Sequence, residues 1–181
     1  VLRGADPAVI ALGNAEEARQ EVAAKLIDWD AARFAAHAVN MPLTYWTGFD
    51  CESQVRHARL CDDFANQNAL LLIDFKPDPP RRITELTILT IDDPGLFARI
   101  AGAVAAAGAN IVGARITTCH DGTVLDVFFL QDMKNQAIED KDELARIRTS
   151  LERSLTGSLK LEKALLARWQ QTPLRVRQMP V

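Results

Sequence analysis

At 181 residues, with 48% hydrophobic and 25% charged content, the chain has the size and composition of a protein that buries a real core, which excludes a disordered or low-complexity polymer. A formal net charge of -3 gives no electrostatic attraction to nucleic acid or anionic membrane, and no apolar run is long enough to span a bilayer. Three cysteines, an odd number, argue against a disulfide framework and fit a reducing, cytoplasmic setting, and the start VLRGADPAV has no signal-peptide pattern.

In chain order, residues 1–13 read as a loose lead-in broken by Gly4, Pro7 and Gly13. Asn14 and Glu17 are spaced as a capping box, and Ala18, Val22, Leu26 and Trp29 then recur at helical spacing. This predicts an amphipathic helix that reaches, or restarts near, His37 and breaks at Asn40-Met41-Pro42, because a residue before proline is pushed out of the helical region. Tyr45, Trp46 and Phe49 form an aromatic connection that reads as core or as a docking surface. Asp50 is placed to cap a helix over 51–66, with Val55, Ala58, Cys61 and Ala65 on its apolar side and Arg56, His57 and Arg59 on its polar side. Ala69 to Phe75 reads as a short strand, free to pair with a later sheet or a second copy of it. Lys76 to Arg82, with three prolines, reads as a stiff linker. The expected division is a helical segment over 1–75, a linker over 76–82 and a second domain over 83–181.

That second domain opens with a β-branched strand, Ile83 to Ile91. Asp93 offers an N-cap with Pro94 at the first helical position, and Leu96, Phe97, Ile100, Ala101 and Val104 mark one buried helical face that Gly108 ends. Strands follow over Ile111–Thr118 and Thr123–Leu130, joined by a tight turn at Asp121-Gly122. Leu144, Ile147, Leu151 and Leu155 mark a further helix that Thr156-Gly157 is expected to end. Leu161, Leu165 and Trp169 suggest another helical piece, and Leu174 to Met179 is the one candidate for a last strand. The fold class is α+β: a ferredoxin-like βαββαβ sandwich preceded by a helical segment. The start at Val1 and the end at Met179-Pro180-Val181 lead us to expect a piece of a longer protein, with the last strand open to truncation.

Asp92 to Leu96 (DDPGL), the small-residue helix and Gly108 to Ile111 (GANI), in this order of elements, resemble an ACT domain, a small regulatory module that binds amino acids. More narrowly, TELTILTIDDPGLFARIAGAVAAAGANIVGARITT, followed by DG and LDVFFLQD, is similar to the first of the paired ACT domains of the PII uridylyltransferase/uridylyl-removing enzyme family. Tyr45-Trp46 and QVRHARL (Gln54 to Leu60) resemble the stretch just before those domains. The resemblance implies nitrogen regulation through glutamine sensing, with PII signal-transduction protein as the partner of catalytic domains outside this chain. It implies magnesium for those catalytic domains and no cofactor here. It also implies a second ACT domain or a homodimer as the pairing partner.

Catalytic patterns within the chain read as structural. Asp28-Trp29-Asp30 has the Asp-x-Asp form used to hold two magnesium ions, but it sits at a helix end without the preceding Gly-Ser turn, which favours solvated or capping carboxylates. His120-Asp121 matches the dipeptide of HD phosphohydrolases, yet Asp121-Gly122 reads as a hairpin turn. Cys51, Cys61 and Cys119 lack metal-ligand spacing, no nucleophile elbow is present, and Gly108 and Gly113 make no phosphate loop. The chain does not look catalytic.

A binding site remains. The turn Asp92 to Leu96 leaves helix-start N–H groups suited to an α-carboxylate, and Asn110 both donates and accepts, which suits an amino or amide group. By the resemblance, the glutamine-binding residues are Asp92, Asp93, Gly95, Leu96, Asn110 and Ile111. The two turns fall at opposite ends of the helix, so the site is expected to form between paired domains. The rival reading is a dimerisation or scaffold module that pairs through a sheet edge and binds no effector. An RNA-recognition fold of the same order is disfavoured, since Thr123 to Leu130 holds Asp126 and no Lys or Arg.

Overall fold

The computed structural model describes residues 7–170, with side chains described for 8–157. Four helices come first: α1 (Pro7–Lys25), α2 (Ala31–Asn40), α3 (Leu43–Gly48) and α4 (Cys51–Asn66). The strands β1 (Leu71–Asp78) and β2 (Ile83–Ile91) follow, then α5 (Leu96–Ala106), β3 (Asn110–Thr118), β4 (Thr123–Gln131) and α6 (Lys141–Gln170). The four strands form one antiparallel sheet in the order β1-β2-β4-β3. The α+β class and the β-α-β-β order from Ile83 onward are as the sequence predicts.

The sheet is covered on both faces. Leu86, Ile88, Val124, Phe128 and Leu130 meet Ile100 and Val104 of α5 and Ile147, Leu151 and Leu155 of α6. On the other face Leu89, Leu125 and Val127 meet Val22, Leu26, Tyr45, Trp46 and Ala58 of the helical layer. This double burial is why every residue of β2 from Ile83 to Thr90 is buried, the polar Thr84, Glu85, Thr87 and Thr90 included. Polar Thr84 fits there because its hydroxyl donates to Ile138 O at 2.8 Å and accepts from Ile138 N at 2.9 Å. Tyr45 and Trp46 are core residues, each 1% exposed.

Several local expectations are corrected. Residues 7–13 are helical, not a loose lead-in: α1 includes Pro7, where the missing N–H costs nothing, and runs through Gly13, Asn14 and Glu17. It stops before Asp30, whose carboxylate accepts from Arg33 N at 2.7 Å and starts α2. His57 is not on a solvated face; it is fully buried between Phe49 and Tyr45. Arg56 also turns inward, towards Asp74 and Glu85.

Lys76-Pro77-Asp78 continue the strand instead of starting a linker. Pro77 pairs with Thr84 on an edge strand, where a missing N–H is tolerated on the open side. The reversal needs only the 3-10 turn Pro79–Arg81 and a left-handed Arg82 (φ 54). β1 thereby fills the edge beside β2, the position a closing βαββαβ strand would take. The expected strand Leu174–Met179 lies outside the described residues. Thr156-Gly157 does not end the second helix, because α6 is continuous to Gln170. One helical glycine costs about 1 kcal/mol relative to alanine, too little to break a long helix, and Gly157 takes no left-handed conformation.

Candidate functional site

The turn from β2 into α5 is built differently from the expected Asp93 cap. Gly95 takes the left-handed conformation (φ 80) and occupies the N-cap position, so the helix starts at Leu96 and Pro94 stays in the turn. Leu96 N donates to Asp93 O at 2.9 Å, and Arg99 N to Gly95 O at 3.1 Å. The N–H groups of Phe97 and Ala98 make no such turn bond and point, with the positive end of the helix dipole, towards the helix start. Instead of capping, the Asp93 carboxylate pairs with Arg99, which also donates to Pro94 O at 3.3 Å. Arg99 is six residues from Asp93, outside the three- and four-residue spacing that marks helical pairs, so periodicity gave no signal for it. Asp92 is exposed, and its N–H donates to Gly122 O at 3.3 Å in the β3–β4 hairpin. Leu96 is a core residue, 6% exposed, which anchors the turn and leaves no side-chain surface for a ligand.

Asn110 and Ile111 open β3 at the other end of the sheet. Ile91, just before the turn, pairs with Thr123, whereas Asn110 pairs with Gln131. Eight residue steps along β4 separate those partners, roughly 27 Å at strand rise. Asn110 is exposed, with its amide 3.9 Å from Met133 Sδ, and Ile111 packs half-buried against the core. The fold therefore brings Asp92, Asp93, Gly95 and Leu96 together and keeps Asn110 and Ile111 apart from them. Neither turn lines any of the larger cavities described.

Among the described residues the sheet has two edge strands, β1 and β3, and the second of these carries exposed apolar side chains. Val112 and Ile116 on that strand are 52% and 53% exposed, and nearby Phe97 of α5 is 51% exposed. Beneath them the buried Asp126 pairs across the strands with Ile116, and its Oδ1 has no partner among the described residues. Burial pushes its carboxyl up to about 6, opposed by a backbone hydrogen bond from Thr117.

The catalytic look-alikes have structural partners. Asp28 is bonded by Arg59 at 2.7 and 2.9 Å, which holds its carboxyl down at about 2, and Asp30 caps α2. His120 N donates to Asn40 O at 2.9 Å, and the Asp121 carboxylate accepts from Thr123 N and Oγ1. Only Gly122 of that turn is left-handed (φ 86); Asp121 is not. The Cys51, Cys61 and Cys119 thiols are each pushed up by burial, away from the thiolate a nucleophile needs. Among the described residues, no three His, Cys, Asp or Glu side chains come together to hold a metal.

The sequence is 40% identical over 164 residues to a bifunctional uridylyltransferase/uridylyl-removing enzyme of Rhodospirillum rubrum, covering 90% of this chain and 17% of that protein. The enzymes of the same name from Azospirillum brasilense and Gluconobacter oxydans are 45% and 43% identical, over 75% and 67% of this chain and 15% and 13% of theirs. The chain is homologous to a segment of these enzymes. It spans less than a fifth of the length of these uridylyltransferase/uridylyl-removing relatives. No family model matches the chain. The similarity to the uridylyltransferases extends over most of the chain, so the helical layer and the sheet belong to one homologous segment.

Proposed function

We propose that this chain is a regulatory ACT-type module of a bifunctional uridylyltransferase/uridylyl-removing enzyme, and that it senses glutamine to set the balance between uridylylation and deuridylylation of PII protein. The catalysis, with its magnesium, belongs to other parts of the longer protein, and the setting is cytoplasmic. The observation that carries this reading is the split site beside an open sheet edge. Two β3 edges pairing antiparallel would bring Asn110 of one unit alongside the Thr118 end of the other, next to its Asp92–Leu96 turn. The partner is either a second ACT domain or a second copy of this one. In such a pair the α5 N–H groups would bind the glutamine α-carboxylate, and Asn110 its amino or amide group.

The same edge, with Val112, Ile116 and Phe97 exposed, also favours a pairing module that binds no effector. Calorimetric titration with glutamine, using glutamate and serine as controls, separates the two. Selective heat from glutamine supports sensing; a concentration-dependent mass without any heat supports pure pairing. Asn110→Ala should weaken glutamine binding about tenfold with an unchanged melting temperature, since the side chain is exposed. An unaltered affinity would remove Asn110 from the site.

A further inference from the structure

A cavity of about 410 Å³, in the range that holds a small molecule, opens between α2, α4 and the β3–β4 hairpin, and no residue of either candidate turn lines it. Its body is apolar: Trp29, Phe64 and Leu89, with the small side chains of Ala36 and Ala65 leaving the space open. Its polar groups carry both signs of charge. Arg33 lies over the Trp29 ring, 4.5 Å from the ring centre to its Cζ, and is held by Asp62 through Nε and Nη2, so Nη1 is outside that pair. On the hairpin side Asp121 faces Asn40, whose Nδ2 donates to its Oδ2 at 3.0 Å. His37, 8% exposed, is part of the wall, and its Nε2 has no partner among the described residues.

From this we infer that the cavity is a second small-molecule site, taking a zwitterion with an apolar body such as a free amino acid of the leucine or phenylalanine type. Arg33 Nη1 binds the carboxylate, Asp121 and Asp62 attract the ammonium group, and the side chain fills the space against Leu89 and Phe64. This chemistry differs from that proposed for glutamine, because the cavity body offers a side-chain amide few partners. The site is also coupled to the β2–α5 turn. Asp121 and Thr123 line the cavity, and Gly122 between them accepts the Asp92 N–H. The hairpin is fixed to α2 by His120 N to Asn40 O and Asp121 N to Asn40 Oδ1, at 2.9 and 3.0 Å. Occupancy would thus bias the position of the turn through a short rigid link.

The test is amide NMR of the whole chain titrated with L-leucine, L-phenylalanine, L-glutamine and isovalerate, which has the apolar body of leucine but no ammonium group. The expected result is shifts centred on residues 33–40, 61–65 and 121–123 with leucine or phenylalanine, and weaker ones with isovalerate. Ala65→Phe and Ala36→Phe, which fill the cavity from exposed helix positions, and Arg33→Gln should each weaken binding about tenfold with the fold retained. Two filling positions keep the test open if one variant unfolds. Three outcomes overturn the site: no shift at about 10 mM ligand, shifts that survive cavity filling, or isovalerate binding as well as leucine. The glutamine reading is judged separately, at residues 110–111 and by the Asn110→Ala variant, neither of which touches the cavity, so either proposal can fail alone.

Discussion

Two residues show how one position can work against its surroundings. Asp126 is 2% exposed on a strand between apolar neighbours, and burial holds its carboxyl at about 6 against an ordinary value of 3.8. A raised carboxyl favours the folded state below the unfolded value, and that contribution is lost as pH rises through about 6. Asp126→Asn removes the ionisation, so it should raise stability at pH 7.5 by about 1–2 kcal/mol and change it little at pH 4. Urea midpoints of both proteins at the two pH values check this; equal gains at both would rule out the charge as the cause. Asp93 shows the opposite case. Its carboxylate looks like a cap by position, yet the nearby Arg99 guanidinium takes it, and Gly95 starts the helix through its backbone alone.

At the scale of elements, propensity and pairing compete. Gly157 lies inside α6 with nothing within 4 Å of an added Cβ, so the helix there tolerates glycine without using it. Gly157→Ala should therefore stabilise the protein by about 0.5–1 kcal/mol, read as a higher melting temperature. A loss of stability would mean that the glycine has a packing role. Pro77 shows a similar contest in β1, where a proline-rich stretch reads as linker but an edge strand accepts it. The alternation of β1 alone is short, and what holds it is the full ladder from Leu71↔Thr90 to Asp78↔Ile83.

At the scale of the whole molecule, the helical layer and the sheet share a core that depends on neutral histidines. Burial, with the Arg56 charge adding to it, pushes His57 down to about 3, and burial pushes His37 to about 4. A depressed histidine gives stability that is fully present above the unfolded value of 6.5 and is lost as pH falls towards the folded value. Each should cost about 1.4 kcal/mol per pH unit below 6.5. The helical layer is thus expected to be the acid-sensitive part. His57→Leu, similar in size and free of the two unpartnered nitrogens, should about halve the loss of stability between pH 7 and pH 5. Denaturation at both pH values tests it, and an unchanged loss would place the acid sensitivity elsewhere.

The sequence by itself determined the β-α-β-β core, because β-branched strands, a small-residue helix and the Gly108 and Gly122 turns are encoded over short windows. It also determined the helix end at Asn40 and the helix start at Asp50, where proline and a capping carboxylate act locally. The positions of the two turns proposed for the site, at opposite ends of α5, were legible as well. Only the tertiary structure decided that β1 closes the sheet edge and that the helical segment covers the second face. It also decided that His57 and Arg56 point inward and that Asp93 belongs to Arg99. The physical reason is range. Caps and turns are settled by neighbours a few residues away, whereas burial and ion pairing depend on partners tens of residues distant, and no local pattern records those.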